Sequence, residues 1–234
     1  MNMSSPPPAG SPPVEFVYVG DVMCSWCWGF APTLHQLEEG FGAPVTVVNG
    51  GLRPGPYARV LDDEMAGYLS HHWEQVSEAS GQPVDPSFLD RRDGWKFDSE
   101  FPAIAVTAMR ERHPASALRF FTDIQQGFFA QRVDVTDPDE YRPLLDGYPV
   151  DPGPFLEYLL SPEAQRAAWK DFEEARSLGI SSFPALLIRT NGTVATVTKG
   201  WQPYERIEEP LRAYLADRGY EILDGQVCSI SEPC

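Results

Sequence analysis

The chain has 234 residues, 18 Lys and Arg against 34 Asp and Glu for a formal net charge of −16, and 42% apolar residues; this suffices for one globular domain, or one domain carrying a large insertion, without disulfide staples. The acidic balance and the lack of a basic stripe argue against nucleic acid and anionic membrane as partners, and no stretch reaches the roughly 18 to 20 apolar residues of a membrane-spanning helix. With neither the basic nor the apolar region of a secretory signal at the N-terminus, a soluble cytoplasmic protein is expected.

Residues 1–13 hold five prolines and no apolar periodicity, which predicts a disordered Pro-rich tail. Folding is expected to begin at Val14, with a short β-branched and aromatic strand over 14–19 that stops at Gly20-Asp21. A helix follows from Cys24 or Ser25 to Glu39. Phe30, Leu34 and Leu37 share one of its faces, Pro32 kinks it and Gly40 ends it. A second strand over 44–49 ends at Gly50-Gly51. From Leu61 to Ser177 the pattern predicts helices alone, over about 61–80, 102–112, 115–131, 138–146 and 154–178, the last restarting at Ser161-Pro162. Strand character returns over 185–189 and 193–198, and Asn191-Gly192 between them predicts a hairpin. A last helix over 204–218 ends at Gly219, leaving a flexible tail.

The four cysteines fall into two local pairs, Cys24-x-x-Cys27 and Cys228-x5-Cys234. Pairs in a reducing compartment point to redox chemistry or metal. A strand leading into Cys24-Ser25-Trp26-Cys27 at a helix mouth favours redox, because unpaired N–H groups at a helix N-terminus favour a thiolate there. Cys24, first and more exposed, is expected to attack a substrate disulfide, and Cys27, one turn on and more buried, to resolve the mixed disulfide. Trp26 is expected to face substrate. Asp21 is the nearest acidic candidate for a proton relay to Cys27, with a turn or capping role as the plainer reading. Cys228 and Cys234 admit three readings: an auxiliary redox pair exchanging with Cys24 and Cys27, free thiols on a mobile tail, or a four-cysteine zinc site with the first pair, which the x5 spacing disfavours. His35, His71, His72 and His113 lack metal-binding spacing and are expected at the surface or satisfied in the core, so no metal is assigned.

The run Met23-Cys24-Ser25-Trp26-Cys27-Trp28-Gly29-Phe30-Ala31-Pro32 after a Val-rich strand resembles the DsbA-like thioredoxin-fold oxidoreductases, especially their cytosolic, FrnE-related branch of protein-disulfide isomerases. The resemblance implies an α/β thioredoxin fold over 14–60 and 179–218, interrupted by an all-helical insertion over 61–178 and followed by a tail, 219–234, with the second cysteine pair. It implies a cis bond at Phe183-Pro184 facing the cysteines, with Phe183 lining the groove for the substrate backbone. Ser25, Trp26, Phe183 and Pro184 are therefore the expected substrate contacts, and FrnE-like proteins carrying a C-terminal x5 pair favour the auxiliary reading of Cys228 and Cys234. The implied activity is thiol-disulfide exchange or isomerisation on disulfide-containing proteins or low-molecular-weight thiols, without an organic cofactor and fed by a reducing partner thiol system. Two rivals stand beside it. One is a kappa-class glutathione-transferase or hydroxychromene-carboxylate-isomerase activity, which shares the architecture but generally uses Ser at the catalytic position. The other is a non-enzymatic metal-binding redox sensor using all four cysteines.

Overall fold

The computed structural model describes residues 14–91 and 93–230, so the expected tail over 1–13 and Cys234 lie outside the described residues. Strand β1, Val14–Gly20, is apolar on both faces because both are covered: Phe16 and Tyr18 point into one core, Val17 and Val19 into another. It pairs in parallel with β2, Val45–Asn49, and antiparallel with β5, Ala185–Thr190; β5 pairs with β6, Thr193–Lys199, giving the order β2-β1-β5-β6. The β5–β6 turn has Asn191 at φ 48° and Gly192 at φ 77°, the left-handed pair that a tight hairpin requires.

Helix α1, Ser25–Phe41, crosses the Phe16/Tyr18 face of the sheet. Its Phe30 stacks on Tyr18 with ring centroids 5.9 Å apart, and its Phe41 meets Phe16 edge-on at 5.7 Å. The helix runs past the expected stop at Gly40 because Phe41 is fully buried in that contact. It ends at Gly42, where φ is 57° and the backbone N–H bonds to Glu38 O.

The segment after β2 is mainly helical: α2 Asp63–Ser80, α3 Glu100–Arg112, α4 Ala117–Ala130, α5 Tyr141–Leu144, α6 Pro152–Leu159 and α7 Pro162–Ser177. The helical stretch over 154–178 restarts at Ser161-Pro162 as expected, where the Ser161 hydroxyl caps the Ala164 N–H at 3.2 Å. The helix expected over 138–146 is a 3-10 turn, Pro138–Glu140, followed by the one-turn α5. A two-residue ladder, β3 Arg59–Val60 with β4 Lys96–Phe97, corrects the expectation of helices alone; two residues are too few to show a period of two. These helices share one core with the sheet: Trp28 of α1 stacks on Phe129 of α4, and Trp73 of α2 meets Phe128 and Phe129 edge-on.

Helix α8, Tyr204–Ala216, returns to α1. The segment expected as a flexible tail then folds into a hairpin, β7 Tyr220–Leu223 with β8 Gln226–Ser229, turning at Asp224 (φ 50°) and Gly225 (φ 77°). Tyr220 and Cys228 are each 3% exposed. The hairpin tip sits on the C-terminal end of α1 so closely that a Cβ at Gly42 would lie 2.6 Å from Gly225 O.

Candidate active site

The turn between β1 and α1 is fixed before the cysteines arrive. Buried Asp21 accepts from the Met23 N–H at 2.9 Å with Oδ1 and from the Leu52 N–H at 2.7 Å with Oδ2. One carboxylate thus ties the turn to the loop after β2. Gly50 N–H adds a bond to Gly20 O at 2.7 Å, and Ser99 at the start of α3 holds the Arg53 N–H at 3.0 Å. Burial pushes the Asp21 carboxyl above its ordinary range despite these two donors.

Cys24 is the residue at the α1 N-terminus, with extended backbone (φ −85°, ψ 116°) and its N–H on Asp21 O at 3.1 Å. No side chain caps the helix and no acidic residue occupies its first turn, so the positive end of the helix dipole is left to whatever charge develops beside it. Cys24 is 9% exposed, and its Sγ lies 3.8 Å from Phe183 O. Cys27, one turn on, is fully covered, and its Sγ accepts from the Asp21 backbone N–H at 3.5 Å. Both are free thiols. Burial pushes the Cys27 thiol well up, and the neighbouring Cys24 adds to the shift.

The Phe183–Pro184 bond is cis, and Pro184 O accepts from the Gly200 N–H at 2.7 Å, which joins this turn to the end of β6. Gly50 makes room for it: a Cβ there would stand 2.0 Å from the Phe183 ring. Trp26, half-buried between the cysteines, meets Trp201 with ring centroids 5.9 Å apart, and Trp201 Nε1 donates to Gly29 O of α1 at 2.9 Å. Ser25 is half-buried in the same first turn.

The structure therefore brings Cys24, Cys27, Ser25, Trp26, Phe183 and Pro184 to one end of the sheet. Asp21 is there too, but its contact with Cys27 is made by the main chain, while its carboxylate braces two loops. Cys228 is elsewhere. It lies in a disulfide on the hairpin docked at the far end of α1. With about 1.5 Å of rise per residue, the α1 segment from Cys24 to Glu39 separates the two ends by roughly 22 Å, and the three residues from Gly225 to Cys228 span at most about 10 Å. Among the described residues no cluster of three or more His, Cys, Asp or Glu could hold a metal ion, and no helix is long and apolar enough to cross a membrane.

One feature escaped sequence reasoning: Gly50 gives way to Phe183, a contact between segments distant in sequence that leaves no local signal.

A profile of the DSBA-like thioredoxin domain matches residues 14–212. A solved structure from Nitrosomonas europaea, provisionally described as a protein disulfide isomerase, superposes with a TM-score of 0.79 at 27% identity, covering 89% of this chain and all of that one. The cytosolic disulfide reductase DsbM from Pseudomonas aeruginosa superposes with a TM-score of 0.66 at 22% identity over 87% of this chain and 98% of its own, a likeness of fold. The ClpXP adapter protein SpxH of Halalkalibacterium halodurans is 25% identical over 187 residues, 75% of this chain but only 58% of that protein's length. The match to the domain profile, together with the thioredoxin sheet and its helical insertion, shows that the chain belongs to the DSBA-like thioredoxin domain family.

Proposed function

We propose that the protein is a thiol-disulfide oxidoreductase or isomerase working through Cys24 and Cys27 on the disulfides of proteins or low-molecular-weight thiols. The observation that carries this reading is a pair of free thiols at the uncapped N-terminus of α1, one partly open and one sealed, facing the carbonyl of Phe183. The uncapped helix end favours negative charge on the sulfur nearest solvent, which suits Cys24 as the attacking thiolate. Cys27 cannot meet substrate directly, and its place one helical turn behind suits it to displace substrate from Cys24. The half-buried Trp26 and Phe183, with Pro184 and Ser25, form the groove wall against which a substrate chain aligns. The Nitrosomonas relative supports the reading at 27% identity over its full length.

The reduction potential of the Cys24/Cys27 pair, equilibrated against glutathione, tests it. A potential near about −270 mV assigns a reductase, and one well above about −200 mV an oxidant or isomerase. In Cys27→Ser a stable mixed disulfide with substrate is expected at Cys24, and in Cys24→Ser no turnover. Failure of the pair to form a disulfide would sink the reading, and turnover surviving in Cys24→Ser would instead favour the transferase or chromene-isomerase class.

A further inference from the structure

The loop after β2 carries a basic cavity beside the cysteine turn. Arg53 and Arg59 line an open cavity of about 290 Å³ together with Glu64, Met65 and Tyr68 of α2. Among the described residues neither guanidinium is in an ion pair, whereas Arg110, Arg189 and Arg212 each hold a carboxylate. In a chain with 34 acidic residues that needs a reason, and the carboxylates bracing this loop supply one, because they are committed to other donors. Asp62 accepts from the Met65 N–H at 2.8 Å, and Asp98 from the N–H groups of Gly55 at 2.8 Å and Glu100 at 2.9 Å. Glu100 accepts from Gln165 Nε2 and Trp169 Nε1. Glu64, the carboxylate on the cavity wall, stands in the first turn of α2, where the helix dipole favours it, and pairs with neither arginine. The rim is apolar: Leu52 before Arg53, Val60 after Arg59, and Tyr68 are 38%, 46% and 53% exposed. The main chain fixes the distance to the cysteines. Leu52 N–H donates to Asp21, whose carbonyl holds the Cys24 N–H, and Gly50 lies against the Phe183 ring. From Gly50 to Arg53 three residues span at most about 10 Å, the length of about three residues of an extended peptide.

We propose that the Arg53/Arg59 cavity receives an acidic side chain of a disulfide-bearing polypeptide, about three or four residues from the cysteine that reacts with Cys24. The inference rests on the redox reading above and deepens it by naming the substrate class. Two uncommitted guanidinium groups match a carboxylate, and the exposed Leu52, Val60 and Tyr68 give an extended chain apolar surface to cover, which a thiol of a few atoms would leave open. In the reaction the Cys24 thiolate attacks one sulfur of the substrate disulfide and bonds to it, and the other sulfur leaves with the bonding pair and takes a proton from water. Cys27 then attacks Cys24 Sγ, the polypeptide sulfur leaves with that bonding pair and the proton of Cys27, and two electrons have passed from the dithiol to the substrate. The arginines touch none of the reacting atoms. They hold the chain while its cysteine meets Cys24, and so act on the encounter and not on the exchange itself.

Peptides with acetylated and amidated ends, carrying one cysteine as its mixed disulfide with 2-thiopyridine and one Glu or Gln three or four residues to either side, test the proposal. The second-order rate at which the reduced, full-length protein releases the thiopyridone is measured. With Glu on one side of the cysteine the reaction is expected to run about five- to tenfold faster than with Gln, and added salt is expected to erode the difference. The double variant Arg53→Gln, Arg59→Gln is expected to lose this preference while reacting with the Gln peptides at the wild-type rate, because Arg53 braces the cysteine turn through its main-chain N–H, which the substitution keeps. Equal rates for the Glu and Gln peptides, or a preference that survives in the double variant, would overturn the proposal. So would a preference that is the same when Glu stands beside the cysteine, which marks long-range attraction, or slowing of glutathione disulfide alone in the variant, which marks a small-thiol site. A second measurement keeps the two readings apart: binding of the Glu peptide with Ser in place of its cysteine, weakened by the double variant, reports the cavity even in a protein whose Cys24 and Cys27 never form a disulfide, the result that would sink the redox reading.

Discussion

At the scale of single residues the site is a contest between burial and hydrogen bonding, and Asp21 shows which prevails. Its two N–H donors favour the carboxylate, but complete burial outweighs them and the carboxyl titrates above its ordinary range. The folded protein therefore binds this proton more tightly than the unfolded chain, whose carboxyl titrates near about 3.9. Asp21's contribution to stability is full below that pH and declines as pH rises through the folded value. The stability advantage of wild type over Asp21→Asn, followed by urea unfolding from acid to neutral pH, is accordingly expected to shrink as pH rises. An advantage that grows with pH would mean that the donors dominate and the carboxylate is ionised in the fold. At this scale much was legible from sequence: the Cys-x-x-Cys at a helix mouth and Pro184 after Phe183 are patterns of neighbours. The direction in which Asp21 points was not, because Leu52, whose N–H donates to its carboxylate, lies 31 residues away.

Between elements, the decisive join is the one that fastens the helical segment to the edge of the sheet. Asp171 of α7, 4% exposed in its side chain, receives both guanidinium nitrogens of Arg110 from α3 at 2.7 Å. It also accepts from the Asn49 backbone N–H at 3.1 Å, from Asn49 Nδ2 at 2.9 Å and from the Thr107 hydroxyl at 3.2 Å. Arg110 in turn reaches Val47 O on β2. Two helices and an edge strand thus close on one carboxylate, and β2 leads directly into the Gly50–Leu52 loop that braces the cysteine turn. Asp171→Ala takes the carboxylate away from the guanidinium and from the Asn49 N–H groups, at a cost of about 3–5 kcal/mol; a urea midpoint unchanged from wild type would contradict this account. Sequence patterning recovered the sheet and most helices because each buries a face with its own period: β1 and β5 as apolar runs, α1 through Phe30, Leu34 and Leu37. It misplaced ends where tertiary contact decides them, as at Phe41, and it could not show that the insertion shares its core with the sheet, since apolar residues do not announce their partners.

For the molecule as a whole, α1 acts as a rod whose two ends do different work. Its N-terminus carries the cysteines, and its C-terminus receives the β7–β8 hairpin, which the sequence reading took for a flexible tail. The signal was present: Asp224-Gly225 between Ile222-Leu223 and Val227 is a hairpin turn flanked by apolar residues. It is short, and the cysteines beyond it drew the reading toward mobility. The docked hairpin corrects that reading. Truncation before Tyr220 uncovers the contacts of a buried tyrosine and of the hairpin strands against α1 and α8, so a loss of about 2–4 kcal/mol is expected from the apolar area exposed, read as a lower thermal midpoint. The Cys24/Cys27 potential is expected to stay where it is, because roughly 22 Å of helix lies between the pair and the hairpin's docking point, and the contacts described around the cysteine turn come from Leu52, Ser99, Phe183 and Trp201. A potential that shifts on truncation by more than about 30 mV, a tenfold change in the exchange equilibrium, would show that the C-terminal segment communicates with the site and would support the auxiliary redox role of Cys228.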